Sequence, residues 1–330
     1  MNSTTPKPSA RVHPFALTIF ILGFAALFSV SAINTIRRNL QAPEAGATDR
    51  SRPDGPPRIV VTIPPLMWIA RELAPPDAQV TLLVPPGVGC HGIELLPSQV
   101  AALREADAVL MVGLGLDTQA EQAERPAWQE RLVLGSFVES LGDHDHAHGA
   151  DEHLHDHAHD HGVDPHAWLD PMAMKSYIGA VSSRFSARWP DHAGVISTKA
   201  DALRAKADEV DRAYRERLSP LVRRTVVTHH NAWGRIADRY NLDVAAVIQP
   251  LHEVESTPGD IIDAAEVIKA RAVPAIFIEP QFSKGAAERL AQSTGVRVLT
   301  LDPLGDGDWP GMMMKNLDSL VAGLGDAEAN

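Results

Sequence analysis

Residues 199–218 read KADALRAKADEVDRAYRERL, and this stretch divides the chain. Leu203, Val210, Tyr214 and Leu218 recur at helical spacing, charges fill the other positions, and neither Gly nor Pro interrupts them. The spacing predicts one long helix, placed within residues 191–221. Upstream of it, residues 59–63, 80–84, 108–112 and 132–134 are short apolar runs separated by helical patterns, and they read as buried strands. Downstream, residues 225–228, 244–248, 275–278 and 296–301 repeat that alternation. Strands alternating with amphipathic helices mean βαβ units and parallel sheets. The expected fold class is α/β, with two (β/α)-type lobes at residues 58–190 and 222–330 joined by one long rigid linking helix.

A chain of 330 residues that is 45% hydrophobic can bury one large core or two of ordinary domain size. Ahead of the folded body, Lys7 and Arg11 precede an apolar run over residues 15–30 that ends in Val30-Ser31-Ala32. Small residues in that position suit an export peptidase, so residues 1–32 read as a signal peptide. The run is shorter than the roughly 20 residues that span a bilayer comfortably. Arg37 and Arg38 behind it leave an uncleaved membrane anchor open. Residues 33–57, rich in Pro, Ala, Gly and charge, suit a flexible tether. The expected location is periplasmic. A net charge of -12 repels nucleic acid and favours cationic ligands. Cys90 is the single cysteine, so no intramolecular disulfide can form, and no cysteine follows the apolar run to carry a lipid.

Residues 143–163 form an insertion in the first lobe that is expected to be mobile when free of metal. Its stretch 143–161 is almost entirely His, Asp, Glu, Ala and Gly, with Leu154 alone to bury. Ordering it would cost roughly 1–2 kcal/mol per residue with little return. It carries His144, His146, His148, His153, His155, His157, His159 and His161, borderline ligands suited to weak auxiliary binding of Zn2+, Cu2+ or Ni2+. A precise site needs ligands held by packed neighbours, which this composition does not supply. Two enzymatic readings fail on spacing. His157-Ala158-His159-Asp160-His161 lacks one residue of an HxHxDH pattern, and His252-Glu253-Val254-Glu255-Ser256 has Ser where HExxH needs its second histidine. No enzyme is expected.

Better-placed ligands lie outside that run. His91 sits in Pro86-Gly87-Val88-Gly89-Cys90-His91-Gly92 after a strand, and Pro97-Ser98 then opens a helix. Ligands of open α/β folds gather at such strand ends. His166 lies in Asp164-Pro165-His166-Ala167-Trp168-Leu169-Asp170-Pro171, where two prolines stiffen the backbone. His229 and His230 follow the strand at 225–228, and one of the pair is expected to face the cleft. Asp302 ends another strand, where it serves either as a turn cap or as a ligand. Three imidazoles and one carboxylate would complete a tetrahedral Zn2+ shell.

These segments, together with Thr228-His229-His230-Asn231-Ala232-Trp233, Phe277-Ile278-Glu279-Pro280-Gln281-Phe282-Ser283 and Leu301-Asp302-Pro303-Leu304, resemble the metal-binding solute receptors of ABC importers, in particular their zinc-type branch. The resemblance covers nearly the whole mature chain. It implies an ion buried in the cleft between the lobes, delivered to a permease and its ATPase by a monomeric receptor. The ligands it implies fall on His91, His166 and His230, because a polar, a small and an aromatic residue follow the third histidine, as Asn231, Ala232 and Trp233 do here. The fourth ligand is Asp302 or water, with Asp302 favoured by its place at a strand end, and Glu279 resembles a motif residue that does not touch the ion. Histidine at the third position favours Zn2+ over the Mn2+ of relatives that offer a carboxylate there. Cys90 stands where such receptors commonly carry proline.

Overall fold

The computed structural model describes residues 55–138, 164–249 and 256–325. The signal segment, most of the tether, the histidine-rich run and His252–Glu253 lie outside the described residues. The first lobe contains β1 (Arg58–Val61), α1 (Pro64–Leu73), β2 (Gln79–Leu82), α2 (Pro97–Glu105), β3 (Ala108–Met111), α3 (Thr118–Gln122) and β4 (Glu130–Val133). α4 (Pro171–Arg188) and the long α5 (Ala193–Leu218) follow. The second lobe contains β5 (Thr225–Thr228), α6 (Gly234–Tyr240), β6 (Asp243–Val247), α7 (Pro258–Ala270), β7 (Ala275–Ile278), α8 (Gly285–Thr294), β8 (Arg297–Thr300) and α9 (Trp309–Leu324).

Both sheets are parallel and share one topology. The first runs β2-β1-β3-β4 and the second β6-β5-β7-β8. The inner strands β3 (AVLM) and β7 (AIFI) are buried along their whole length, as strands covered on both faces must be. The edge strand β2 (QVTL) leaves Gln79 and Thr81 exposed. Its pairing continues past Leu82, since Leu83 donates to Val61 O and Val84 to Thr62 O. The strand read at 132–134 instead starts at Glu130 and stops at Val133, where a 3-10 turn over Leu134–Phe137 takes the chain away.

Helix starts follow from local chemistry. Pro64, Pro97, Pro171 and Pro258 occupy first-turn positions, where a missing N–H costs nothing. Asp170 accepts from Met172 N at 2.8 Å and caps α4. On α5, Ile196, Ala200, Leu203, Ala207, Val210, Tyr214 and Leu218 form one buried stripe. That stripe does more than connect. One apolar cluster runs from Ile59 and Val61 through Tyr214 to Trp309 and Leu317, so a single core spans both lobes. Polar bonds inside it are satisfied, with Tyr177 Oη donating to Leu132 O and Tyr214 Oη to Met313 O.

Two indoles fasten the lobes near their joint. Trp168 Nε1 donates to Pro303 O at 2.5 Å, and Trp309 Nε1 donates back to Trp168 O at 2.7 Å. Trp309 also stacks on Trp68 of α1 with centroids 5.2 Å apart. Replacing Trp309 by Ala is expected to destabilise the protein by about 3–5 kcal/mol in urea unfolding. Val222→Ala, at a residue 94% exposed, should change stability by less than about 0.5 kcal/mol. Equal effects of the two would contradict this packing.

Candidate metal centre

In a 2-1-3-4 sheet the strand order reverses between the first and third strands, and ligands gather outside their carboxyl ends. In the second lobe those strands are β5 and β7. His229 and His230 leave β5, and Glu279 leaves β7 beside them. Both carboxylate oxygens of Glu279 lie 2.6 Å from His230 Nδ1, and Trp233 Nε1 donates to Glu279 Oε1 at 3.1 Å. His230 is 4% exposed and Glu279 1%. His229 meets the Glu279 backbone instead: its Nδ1 accepts from Glu279 N at 3.4 Å, and its ring packs against Phe282.

His166 is held by its own short segment. Asp164 Oδ1 accepts from the His166 backbone N–H at 2.9 Å and lies 2.7 Å from Nδ1. Pro165 stiffens the link between them, and the turn Ala167–Leu169 carries the chain into the Asp170 cap. From the second lobe, Arg235 Nη2 donates to Asp164 O, and its Nε lies 3.8 Å from Asp164 Oδ2. His91 arrives on the loop after β2. Gly87 at φ +82° and Gly92 at φ +61° bracket it in left-handed conformations that favour glycine.

His166 Nε2 stands beside the Nε2 atoms of both other imidazoles. His91 Nε2 lies 3.1 Å from His166 Nε2, which lies 3.2 Å from His230 Nε2. Atoms ligating a tetrahedral zinc at 2.0–2.1 Å sit roughly 3.3 Å apart, close to each of these two separations. The carboxylates on the far side decide the tautomers. With Nδ1–H donated to Asp164 and to Glu279, the Nε2 lone pairs of His166 and His230 point at one another. Converging lone pairs repel, and a shared cation removes that repulsion.

Electrostatics keep the site ready. Burial pushes the His166 imidazole below its ordinary range, so it is neutral near pH 7. Burial also pushes the Asp164 carboxyl up, but the hydrogen bonds from His166 and the charge of Arg235 outweigh that and hold it below the usual carboxylate range. His229 is lowered by burial as well. The buried Cys90 thiol is pushed far above its ordinary value by desolvation and by Glu279.

Asp302 sits differently. Its Oδ1 accepts from Gln281 Nε2 at 2.8 Å and from the backbone of Leu304 and Gly305 at 3.0 Å each, while Asn316 clamps its backbone on both sides. That oxygen caps the turn after β8. Among the described residues no hydrogen bond joins Asp302 to the three imidazoles. Cys90, His91 and His166 do come together, with one ligand atom of each within 4.8 Å of the others. Arg235 was not singled out from the sequence, because an arginine in a helix carries no mark of a partner 71 residues away.

Residues 59–323 match the family described as zinc-uptake complex component A, periplasmic. The chain belongs to this family. Among its relatives is the zinc-binding lipoprotein AdcA of Streptococcus pneumoniae strain R6, 26% identical over 267 residues, which cover 78% of this chain and 52% of the relative. The chain thus spans about half the length of AdcA. The manganese-binding lipoprotein MntA of Halalkalibacterium halodurans is 26% identical over 278 residues, covering 81% and 88%. The fold matches the periplasmic zinc binding protein TroA from Treponema pallidum with a TM-score of 0.71 at 24% identity, covering 82% of this chain and 99% of that one. A crystal structure of ZnuA matches at 0.67 with 23% identity and the same coverage. The family is described as a component of zinc uptake, and the relatives AdcA and MntA are described as binding metal.

The lowered His166 makes a prediction about the metal-free protein. The unfolded imidazole takes up a proton near its ordinary value of 6.5, and the buried one does so only at lower pH. The unfolded state therefore binds more protons in that window. Stability is fully present above pH 6.5 and is lost as the pH falls from there through the folded value. Urea unfolding without metal should give a lower midpoint at about pH 5 than at about pH 8, and His166→Gln should reduce the difference. An unchanged difference would contradict the buried neutral imidazole.

Proposed function

We propose that this chain is the periplasmic zinc receptor of an ABC importer. It captures Zn2+ between the lobes through Nε2 of His91, His166 and His230 and hands the ion to a membrane permease driven by its ATPase. The place of His166 Nε2, 3.1 Å from His91 Nε2 and 3.2 Å from His230 Nε2, carries the reading. Asp302 is the proposed fourth ligand through Oδ2, the oxygen that makes no hydrogen bond among the described residues. The histidine-rich run 143–161 acts as an auxiliary reservoir, and export follows from the signal-like residues 1–32.

The relatives include zinc-named and manganese-named proteins, so the metal is decided by the ligands. Imidazole suits Zn2+, whereas Mn2+ favours oxygen donors. Three imidazoles with one carboxylate select zinc. In isothermal calorimetry under metal-limited conditions, His166→Ala should weaken Zn2+ binding by about 100-fold or more, because even loss of a ligand's hydrogen-bond partner costs 10–100-fold. Glu279→Gln should fall within that range of about 10–100-fold. A chain lacking residues 143–161 should still bind one Zn2+ tightly. Tight binding that survives His166→Ala and disappears with residues 143–161 would overturn the assignment. Mn2+ that holds its place against equimolar Zn2+ would assign the site to manganese.

A further inference from the structure

Cys90 stands directly before a proposed zinc ligand and has no part in the zinc set. Its side chain is buried, at 2% exposure. Its sulfur, a ring nitrogen of His91 and a ring nitrogen of His166 all lie within 4.8 Å of one another. Metal–sulfur bonds of about 2.3 Å and metal–nitrogen bonds of 2.0–2.1 Å put the ligand atoms of a three-coordinate ion roughly 3.5–3.8 Å apart, so a movement of about 1 Å would close this trio on one ion. All three residues belong to the first lobe, on the loop after β2 and the segment before α4. The zinc set differs, since it needs His230 and Asp302 from the second lobe.

Thiolate sulfur is the softest ligand a side chain offers, and with two imidazoles it makes an SN2 set. Hard Mn2+ gains nothing from it. Thiophilic cations of filled d shell, such as Cd2+ and Cu+, gain most; Cu+ accepts three ligands, and Cd2+ would complete its shell with water. From this geometry we infer that Cys90, His91 and His166 form an overlapping site for a soft, thiophilic cation, held by the first lobe alone. The inference rests on the proposed reading of the cleft as a metal-capture site. As the ion binds, a metal–sulfur bond forms and the thiol proton passes to solvent water, one proton released per ion. The glycines at 87 and 92 let the loop turn Cys90 inward while His91 reaches the cleft.

Cd2+ is the probe, read by ultraviolet sulfur-to-cadmium charge-transfer absorption and by equilibrium dialysis of the full chain. The histidine-rich run has no sulfur, so any such band reports Cys90. One equivalent of Cd2+ should produce the band in the unaltered protein. The band should persist in His230→Ala. It should vanish in Cys90→Ser with Cd2+ binding about tenfold weaker or more, folding being checked by circular dichroism. Cd2+ bound without the band, or a band abolished by His230→Ala, overturns the inference and leaves the zinc receptor standing. If His166→Ala leaves both Zn2+ and Cd2+ binding untouched, the receptor reading falls too. The band in the unaltered protein needs no variant to fold.

Discussion

The centre depends on two hydrogen bonds that involve no metal. Asp164 holds Nδ1 of His166 at 2.7 Å and Glu279 holds Nδ1 of His230 at 2.6 Å. Each bond fixes a ring and a tautomer, which leaves a lone pair on Nε2 aimed inward. Without them the rings could rotate, and a chain with fifteen histidines would offer many ligands but no ordered set. Burial keeps His166 neutral, and the Asp164 carboxylate beside it only partly offsets that by raising the basicity of its ring. On the proposed reading, the rings are set for a cation before one arrives.

The fold places those bonds where the lobes meet. Glu279 reaches His230 because β5 and β7 are neighbours in a sheet whose order turns back between them. Asp164 is secured from the opposite lobe by Arg235, and Trp168, two residues beyond His166, donates to Pro303, the neighbour of Asp302. Behind them, a single apolar core runs through the long helix into both lobes. Two units that share a core resist wide opening, so ions are expected to enter and leave through small displacements of the loops that carry the ligands. The loop of His91 is bracketed by glycines in left-handed conformations, and His91 is the least buried of the three.

Much of this was legible in sequence, for reasons that can be named. Strands such as AVLM and AIFI are buried on both faces and read as unbroken apolar runs. The long helix shows its period over many turns. β4 was misjudged by two residues because Glu130 and Arg131 sit in the strand without an apolar signature, with Arg131 donating to Gln129 Oε1, Glu121 O and Ala123 O. His91, His166 and His230 drew attention through their positions after strands or between prolines. Their supporting bonds were less legible, since the pairing of His230 with Glu279 follows from which strands are adjacent, 49 residues apart in the chain. Asp302 marks another boundary of such reading. An aspartate after a strand caps a turn or ligates an ion with the same local sequence, and here one oxygen is committed to the turn.

X-ray absorption at the zinc edge, on protein loaded with one equivalent of Zn2+, bears most directly on the central arrangement. Three imidazole nitrogens and one oxygen at about 2.0–2.1 Å are the expected shell. A shell with fewer than three imidazoles, or one unchanged when His230 is replaced by Ala, would contradict it.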